Sequence, residues 1–153
     1  MRITPLIAAL VGVMTPLAAV AHVTVWPRQS ELGAHENYVV RAPNEKKVAT
    51  VRIEGAFPRE ARVTTLEQVP GWAVEVKRDG AGDIVGATWT GDLPPGQRAE
   101  FGLQATNPSS GTALIWTFSQ IYADGSRVDW AGPPGSKTPA PQVQLRPAQA
   151  GSR

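Results

Sequence analysis

The pattern of apolar and polar positions predicts a protein made of short strands. Apolar residues alternate with polar ones in brief runs, and Pro, Gly, Asn and Asp separate the runs. Alternation with period two marks a half-buried strand, and no stretch carries the 3.6-residue period of an amphipathic helix. Val23 to Trp26 reads as a first strand, closed by Pro27. Glu36 to Ala42 alternates around Tyr38 and Val40 and stops at Pro43-Asn44. In Val48 to Ile53, the set Ala49, Val51 and Ile53 is the better core face. Arg62 to Val69 and Trp72 to Lys77 are joined by Pro70-Gly71. Ile84 to Thr90 and Gln97 to Thr106 flank the turn Gly91 to Gly96. Leu114 to Tyr122 is the most apolar run and reads as a central strand. Asp124-Gly125 is a strong hairpin signal, with Arg127 to Trp130 as the returning strand. Many short strands with turn signals between them predict an all-β sandwich or barrel. After Gly132 the composition shifts to Pro, Gly, Ser and Gln. Residues 133–153 therefore read as an extended or disordered tail, with Val143 to Leu145 available as a short edge strand.

The start of the chain breaks this pattern. Arg2 gives a short positive region, Leu6 to Met14 are almost wholly apolar, and Ala19-Val20-Ala21 is a small-x-small cleavage signal. Residues 1–21 thus read as a signal peptide, and the apolar run is shorter than the ~20 residues that a membrane span needs. No second hydrophobic segment follows. The expectation is an exported protein, periplasmic or secreted, with no membrane span in its mature chain.

Charge and cysteine content narrow the chemistry. The formal net charge of +2 becomes +1 once Arg2, the single charged residue of the leader, is removed. With no lysine-arginine block or basic stripe, nucleic acid is not an expected partner. The chain has no cysteine, so zinc-thiolate, iron–sulfur and thiol-nucleophile chemistry are excluded, and the fold must rely on packing rather than disulfides. There is no G-x-S-x-G elbow, no glycine-rich phosphate loop and no H-E-x-x-H. Glu and Asp are scattered without the pairing that glycoside hydrolysis uses. The protein is not expected to be an enzyme.

What remains is His22. Cleavage after Ala21 makes it the mature N-terminus, which puts a free α-amine and an imidazole on one residue. Amine nitrogen and Nδ1 then close a six-membered ring around a metal. An α-amine titrates at roughly 7.7–8.0, so a metal can displace its proton near neutrality. An internal histidine has only an amide nitrogen there, a poor ligand. Cu(II) prefers tetragonal N,O surroundings and leads the divalent affinity order. A carboxylate oxygen would complete the set and offset charge. The plain alternative is that His22 is simply the residue behind a cleavage site.

Four segments, in order and spacing, resemble the YcnI-like family of secreted bacterial copper-binding domains. They are His22-Val23-Thr24-Val25, Tyr38 to Lys46, Pro70-Gly71-Trp72 and Asp124 to Trp130. The resemblance covers almost the whole mature chain. It implies an immunoglobulin-like antiparallel β-sandwich over residues 22–132, which binds Cu(II) through a mono-histidine brace. It further implies a role in copper acquisition, trafficking or homeostasis at the cell envelope, with a copper importer or copper chaperone as partner. By resemblance His22 is the brace histidine, Glu45 the carboxylate and Trp130 the companion tryptophan beside the metal. Glu31, Glu36 and Asp129 are rivals for the carboxylate. Trp72, Trp89 and Trp116 fit core or rim positions better, and Trp26 either packs near the site or anchors its strand. An indole nitrogen only donates, so Trp130 can shield or stack but not coordinate. His35 is the only second imidazole available for a two-histidine copper oxygenase, and its plain reading is an exposed surface side chain. Tyr38 and Tyr122 read as core. Two alternatives stand beside the copper-binding protein: a copper-dependent redox enzyme of the histidine-brace type, and a metal-free β-sandwich interaction module.

Overall fold

The computed structural model describes residues 21–151. Nearly all of the expected signal peptide therefore lies outside the described residues. The fold is all β, with every strand pair antiparallel except β2 with β12, and among the described residues no helix is long and apolar enough to cross a membrane. Among the described residues twelve strands form: β1 Thr24–Trp26, β2 Gln29–Glu31, β3 His35–Pro43, β4 Thr50–Ala56, β5 Arg62–Leu66, β6 Ala73–Arg78, β7 Ile84–Leu93, β8 Arg98–Thr106, β9 Ala113–Ile115, β10 Thr117–Tyr122, β11 Arg127–Trp130 and β12 Gln142–Arg146.

The large sheet runs β1-β3-β8-β5-β7-β4-β10-β11, with β6 added on β7. It is curled into two faces. One register pair, Val63 with Ile84, joins β5 to β7, so β1, β3, β8 and β5 form one face and the remaining strands the other. Trp89 of β7 stacks on Phe101 of β8 across the interior, with ring centroids 4.8 Å apart. Phe57 packs edge-on against Trp116 at 5.6 Å, and Tyr38 lies 5.3 Å from the same ring. These rings, with Val23, Val40, Ile53, Leu103 and Phe118, make one continuous core. This is the sandwich that the strand pattern predicts, held by aromatic packing in a chain without cysteine.

Four local departures have physical causes. Thr50 and Ile53 are both fully buried, which a regular two-residue period forbids. A register shift between Thr50 and Arg52 turns Thr50 inward, so the core face is Thr50 and Ile53 rather than Ala49, Val51 and Ile53. The expected strand Leu114 to Tyr122 is broken at Trp116. β9 pairs with β12, β10 pairs with β4, and the Trp116 N–H goes to Pro141 O instead. Gln29–Glu31 was not expected as a strand. The expected edge strand at 143–145 exists but is not an edge: β12 lies between β2 and β9 in a second, three-stranded sheet. Val143 and Leu145 are buried there, and burial on the body of the sandwich outweighs the Pro- and Gly-rich composition around them.

β4 and β7 approach closely where Ala56 pairs with Gly86. A Cβ on Gly86 would meet the Gly55 carbonyl oxygen at 2.5 Å, a backbone atom with no freedom to move aside. Gly86→Ala is expected to lower stability by roughly 1–3 kcal/mol, read as a reduced urea midpoint.

Candidate metal centre

The two ends of the large sheet are β1 and β11, and His22 sits where they meet. Val23 and Val25 are inside the core, so alternation places His22, Thr24 and Trp26 on the outer side. The His22 ring lies against Trp130, the last residue of β11, at 5.5 Å and an angle of 53°. Trp130 is itself buried, and its Nε1–H donates to Gln120 Oε1 at 3.2 Å. The indole N–H is therefore committed, and only the ring is offered to the imidazole.

Glu45 reaches the same place from the loop that follows β3. Asn44, almost fully buried, fixes its loop. Its Nδ2 donates to Val48 O and Leu93 O, both at 2.9 Å, while its Oδ1 accepts from Lys46 N at 3.0 Å. Its backbone also pairs with Gly96 and Gln97. This Asx-type turn leaves Glu45 exposed at the apex. Glu45 Oε1 accepts the Ala21 backbone N–H at 2.9 Å, so its carboxylate stands within hydrogen-bond reach of the chain one residue before His22. Lys46 does not neutralise it, being committed to Ser126 Oγ at 2.9 Å and to the face of Tyr122. His22, Glu45, Thr24, Trp26, Arg41 and Arg98 share the walls of an open pocket of about 480 Å³.

The other candidates fall elsewhere. Glu36 accepts from Ser30 Oγ at 2.7 Å and lies in a different hollow, beside His35. Glu31 ends β2 in the second sheet. Asp129 accepts from Ser119 Oγ at 2.6 Å and Arg127 Nε at 2.7 Å. The Ser119 hydrogen bond, then Arg127, holds its carboxyl below the usual carboxylate range. His35 is exposed and opens β3. Pro43 closes β3 and lines the His22 pocket, and the eight steps between the two strand ends span roughly 26 Å. One site cannot hold both imidazoles. Burial raises the Tyr122 phenol and the nearby charge of Glu45 adds to it, so at neutral pH Tyr122 is a neutral phenol.

Among the described residues no three His, Cys, Asp or Glu side chains converge. Two side-chain donors alone make a weak site, and a metal here needs a donor that is not a side chain. An α-amine on His22 would be such a donor, beside its own imidazole and one residue after the backbone N–H that Glu45 holds. Sequence reasoning missed Gln120. It is fully buried, and besides Trp130 it holds Pro43 O at 2.9 Å and Thr50 Oγ1 at 2.8 Å. The available signal was a polar residue in the inward series Leu114, Trp116, Phe118, Gln120, Tyr122.

The family described as a domain of unknown function, DUF1775, matches residues 22–145. The copper-binding protein CutI of Bacillus subtilis (strain 168) is 33% identical over 124 residues, which is 79% of this chain and 60% of that protein. The chain thus spans under two thirds of that relative's length. An uncharacterized protein from Nocardia farcinica, whose crystal structure reveals an immunoglobulin-like fold, aligns with a TM-score of 0.70 and 30% identity, over 81% of this chain and 97% of that one. A non-cellulosomal cohesin from the hyperthermophilic archaeon Archaeoglobus fulgidus aligns at a TM-score of 0.52 and 13% identity, over 82% and 90% of the two chains, and shares the fold alone.

Gln120→Leu would leave the buried Trp130 indole N–H without its acceptor and take one donor from the Pro43 carbonyl and the Thr50 hydroxyl. It is expected to cost roughly 1–3 kcal/mol for each group left without a partner, measured by urea unfolding. Trp130 fluorescence should broaden and shift red as its ring loosens.

Proposed function

The chain belongs to the DUF1775 family, the YcnI-like family, and on that premise we propose that it is an exported protein that binds Cu(II) at its mature N-terminus. In this reading cleavage after Ala21 frees the His22 α-amine. Amine, imidazole and the Glu45 carboxylate hold the metal, and Trp130 stands beside it without coordinating. The protein is a binder rather than an enzyme, periplasmic or secreted, serving copper acquisition, trafficking or homeostasis. A copper importer or copper chaperone at the envelope is its partner.

The observation that carries the reading is the hydrogen bond of 2.9 Å from Ala21 N to Glu45 Oε1. It holds the Glu45 carboxylate against the backbone one residue before the nitrogen that cleavage would free, with the His22 imidazole against Trp130, and this nearness supports the reading. The donor chemistry fits Cu(II): two nitrogens and one anionic oxygen, with metal-bound charge partly offset. Binding displaces protons from the amine and imidazole, so affinity should fall as pH drops below neutrality. The relative named a copper-binding protein supports the same cargo.

Secreted protein is expected to begin at His22 and to bind one Cu(II) per chain, with mixed N,O equatorial ligation by spin resonance. His22→Ala, or one extra residue placed before His22, should abolish tight binding, whereas His35→Ala should leave it intact. Equal losses at His22 and His35 in a Cu(II) titration would refute the assignment.

Glu45→Gln keeps the shape and removes the charge. It should weaken Cu(II) by more than the roughly 10–100-fold typical of groups that only orient a ligand, while Trp130→Phe stays within that range. Asp129→Asn should bind as the parent does. Competition titration against a chelator of known affinity measures all three, and parental affinity in Glu45→Gln would move the carboxylate role elsewhere.

A further inference from the structure

The pocket beside His22 has a second wall that the copper reading does not use. Thr24 pairs with Arg41 across β1 and β3, and Arg41 pairs with Glu100 across β3 and β8. Arg41 therefore lies on the outer face beside Thr24. Its guanidinium sits 4.9 Å from the Trp26 ring centre, and Arg28 lies 5.8 Å from the same ring. Trp26 remains 40% exposed, so part of its ring surface is open to a ligand in the pocket. Its Nε1–H donates to Thr24 Oγ1 at 3.1 Å, which fixes the ring as a floor.

The charges on this wall are unbalanced. Glu100 Oε1 is 3.2 Å from Arg41 Nε and 3.3 Å from Arg98 Nη2, so one carboxylate oxygen serves two guanidiniums. Its alignment with Arg41 is too poor for a hydrogen bond, and Arg41 Nε is a buried donor without a partner. A guanidinium carries five donors in a planar fork suited to a carboxylate. Copper on a neutral amine, a neutral imidazole and one carboxylate would carry a further net positive charge. Three protein donors also leave one position of a tetragonal Cu(II) site open.

We propose that this pocket receives a small dicarboxylate, one carboxylate at the copper on His22 and the other at the guanidiniums of Arg41 and Arg98, over the Trp26 ring. The inference rests on the copper reading for one end of the ligand and on the arginine wall for the other. Copper would then arrive or leave as a ternary complex with a dicarboxylate chelator, and the arginines would select chelates that carry a second anionic arm.

The probe is malonate, with acetate at equal carboxylate concentration as control, on mature protein beginning at His22. In copper-free protein, malonate is expected to shift the Trp26 indole N–H and Arg41 Nε–H resonances through its arginine end, and in Cu(II)-loaded protein acetate should bind far more weakly than malonate. Arg41→Gln should weaken malonate roughly 10–100-fold, the worth of a hydrogen bond to a charged group. The more exposed Arg98→Gln should weaken it in the same direction and serves should Arg41→Gln fold poorly. In Cu(II)-loaded protein, malonate should alter the spin-resonance spectrum and saturate at lower concentration than in copper-free protein. Malonate without effect on Trp26, acetate as effective as malonate in Cu(II)-loaded protein, or parental malonate affinity in Arg98→Gln would each overturn the proposal. Absence of copper binding in carboxylate-free buffer, with the malonate shifts intact, would refute the copper reading while supporting the arginine wall.

Discussion

The structure depends on a side chain that closes a gap the backbone leaves open. The large sheet curls until β1 and β11 face each other, yet these two ends share no strand pairing. Gln120 spans the seam instead. From β10 its carboxamide holds the Pro43 carbonyl of β3, the Thr50 hydroxyl of β4 and the Trp130 indole of β11. A carboxamide has an acceptor and two donors, and these three partners use both kinds. A hydrophobic residue of the same size would fill the space but leave the buried Trp130 indole N–H unpaired and take a donor from Pro43 O and Thr50 Oγ1. The seam is also where His22, Trp130 and the Glu45 loop meet, so the same contact that closes the sandwich aligns the site.

Terminal residues commonly fray, so a mature chain that began at His22, as proposed, would need an anchor there. Here β1 is short, but Val23 and Val25 are wholly inside a core built on stacked and edge-packed rings. Moving His22 by more than a rotamer would pull valine side chains into water, at a cost of roughly 1.5–3 kcal/mol for each one exposed. The ring contact with Trp130 adds a lateral stop. On the proposed reading, a His22 terminus anchored from behind in this way can act as a preformed ligand, without the ordering cost that a flexible tail would incur on binding.

Alternation made most strands legible, since a half-buried sheet imposes its period directly on the sequence. What it could not show was pairing. Leu114, Trp116, Phe118, Gln120 and Tyr122 all point inward, but nothing in that regular series reveals that the chain changes sheets at Trp116. The bulge at Thr50 hid for the opposite reason, because it breaks the period and so looks like noise. β12 was masked by its Pro-rich flanks, although burial of Val143 and Leu145 makes it the middle of its sheet. At the candidate site, His22 was singled out by the expected cleavage signal and its own chemistry, and Glu45 and Trp130 by family likeness; the structure sets His22 against Trp130 and Glu45 against Ala21. Arg41 and Arg98 were not legible, because their nearness to His22 arises from cross-strand register, which joins residues far apart in sequence.

The site is asymmetric, and this bears on what it can do with a metal. Its back wall is fixed: Trp130 is buried and hydrogen-bonded, and the Asn44 turn is locked by backbone partners. Its front is open, with Glu45 at an exposed loop apex and arginines on the facing rim. A storage site gains from enclosing its metal, since exclusion of water and competing ligands slows release. An open site with a rigid chelate behind it leaves one side of the metal accessible to an incoming donor. Ligand exchange can then proceed by association, with the new donor bound before the old ones leave. On the proposed reading, that arrangement favours transfer of copper over sequestration. The positive rim also makes the approach of an anionic donor faster than that of a cationic one, an advantage that salt would screen over roughly 8–10 Å.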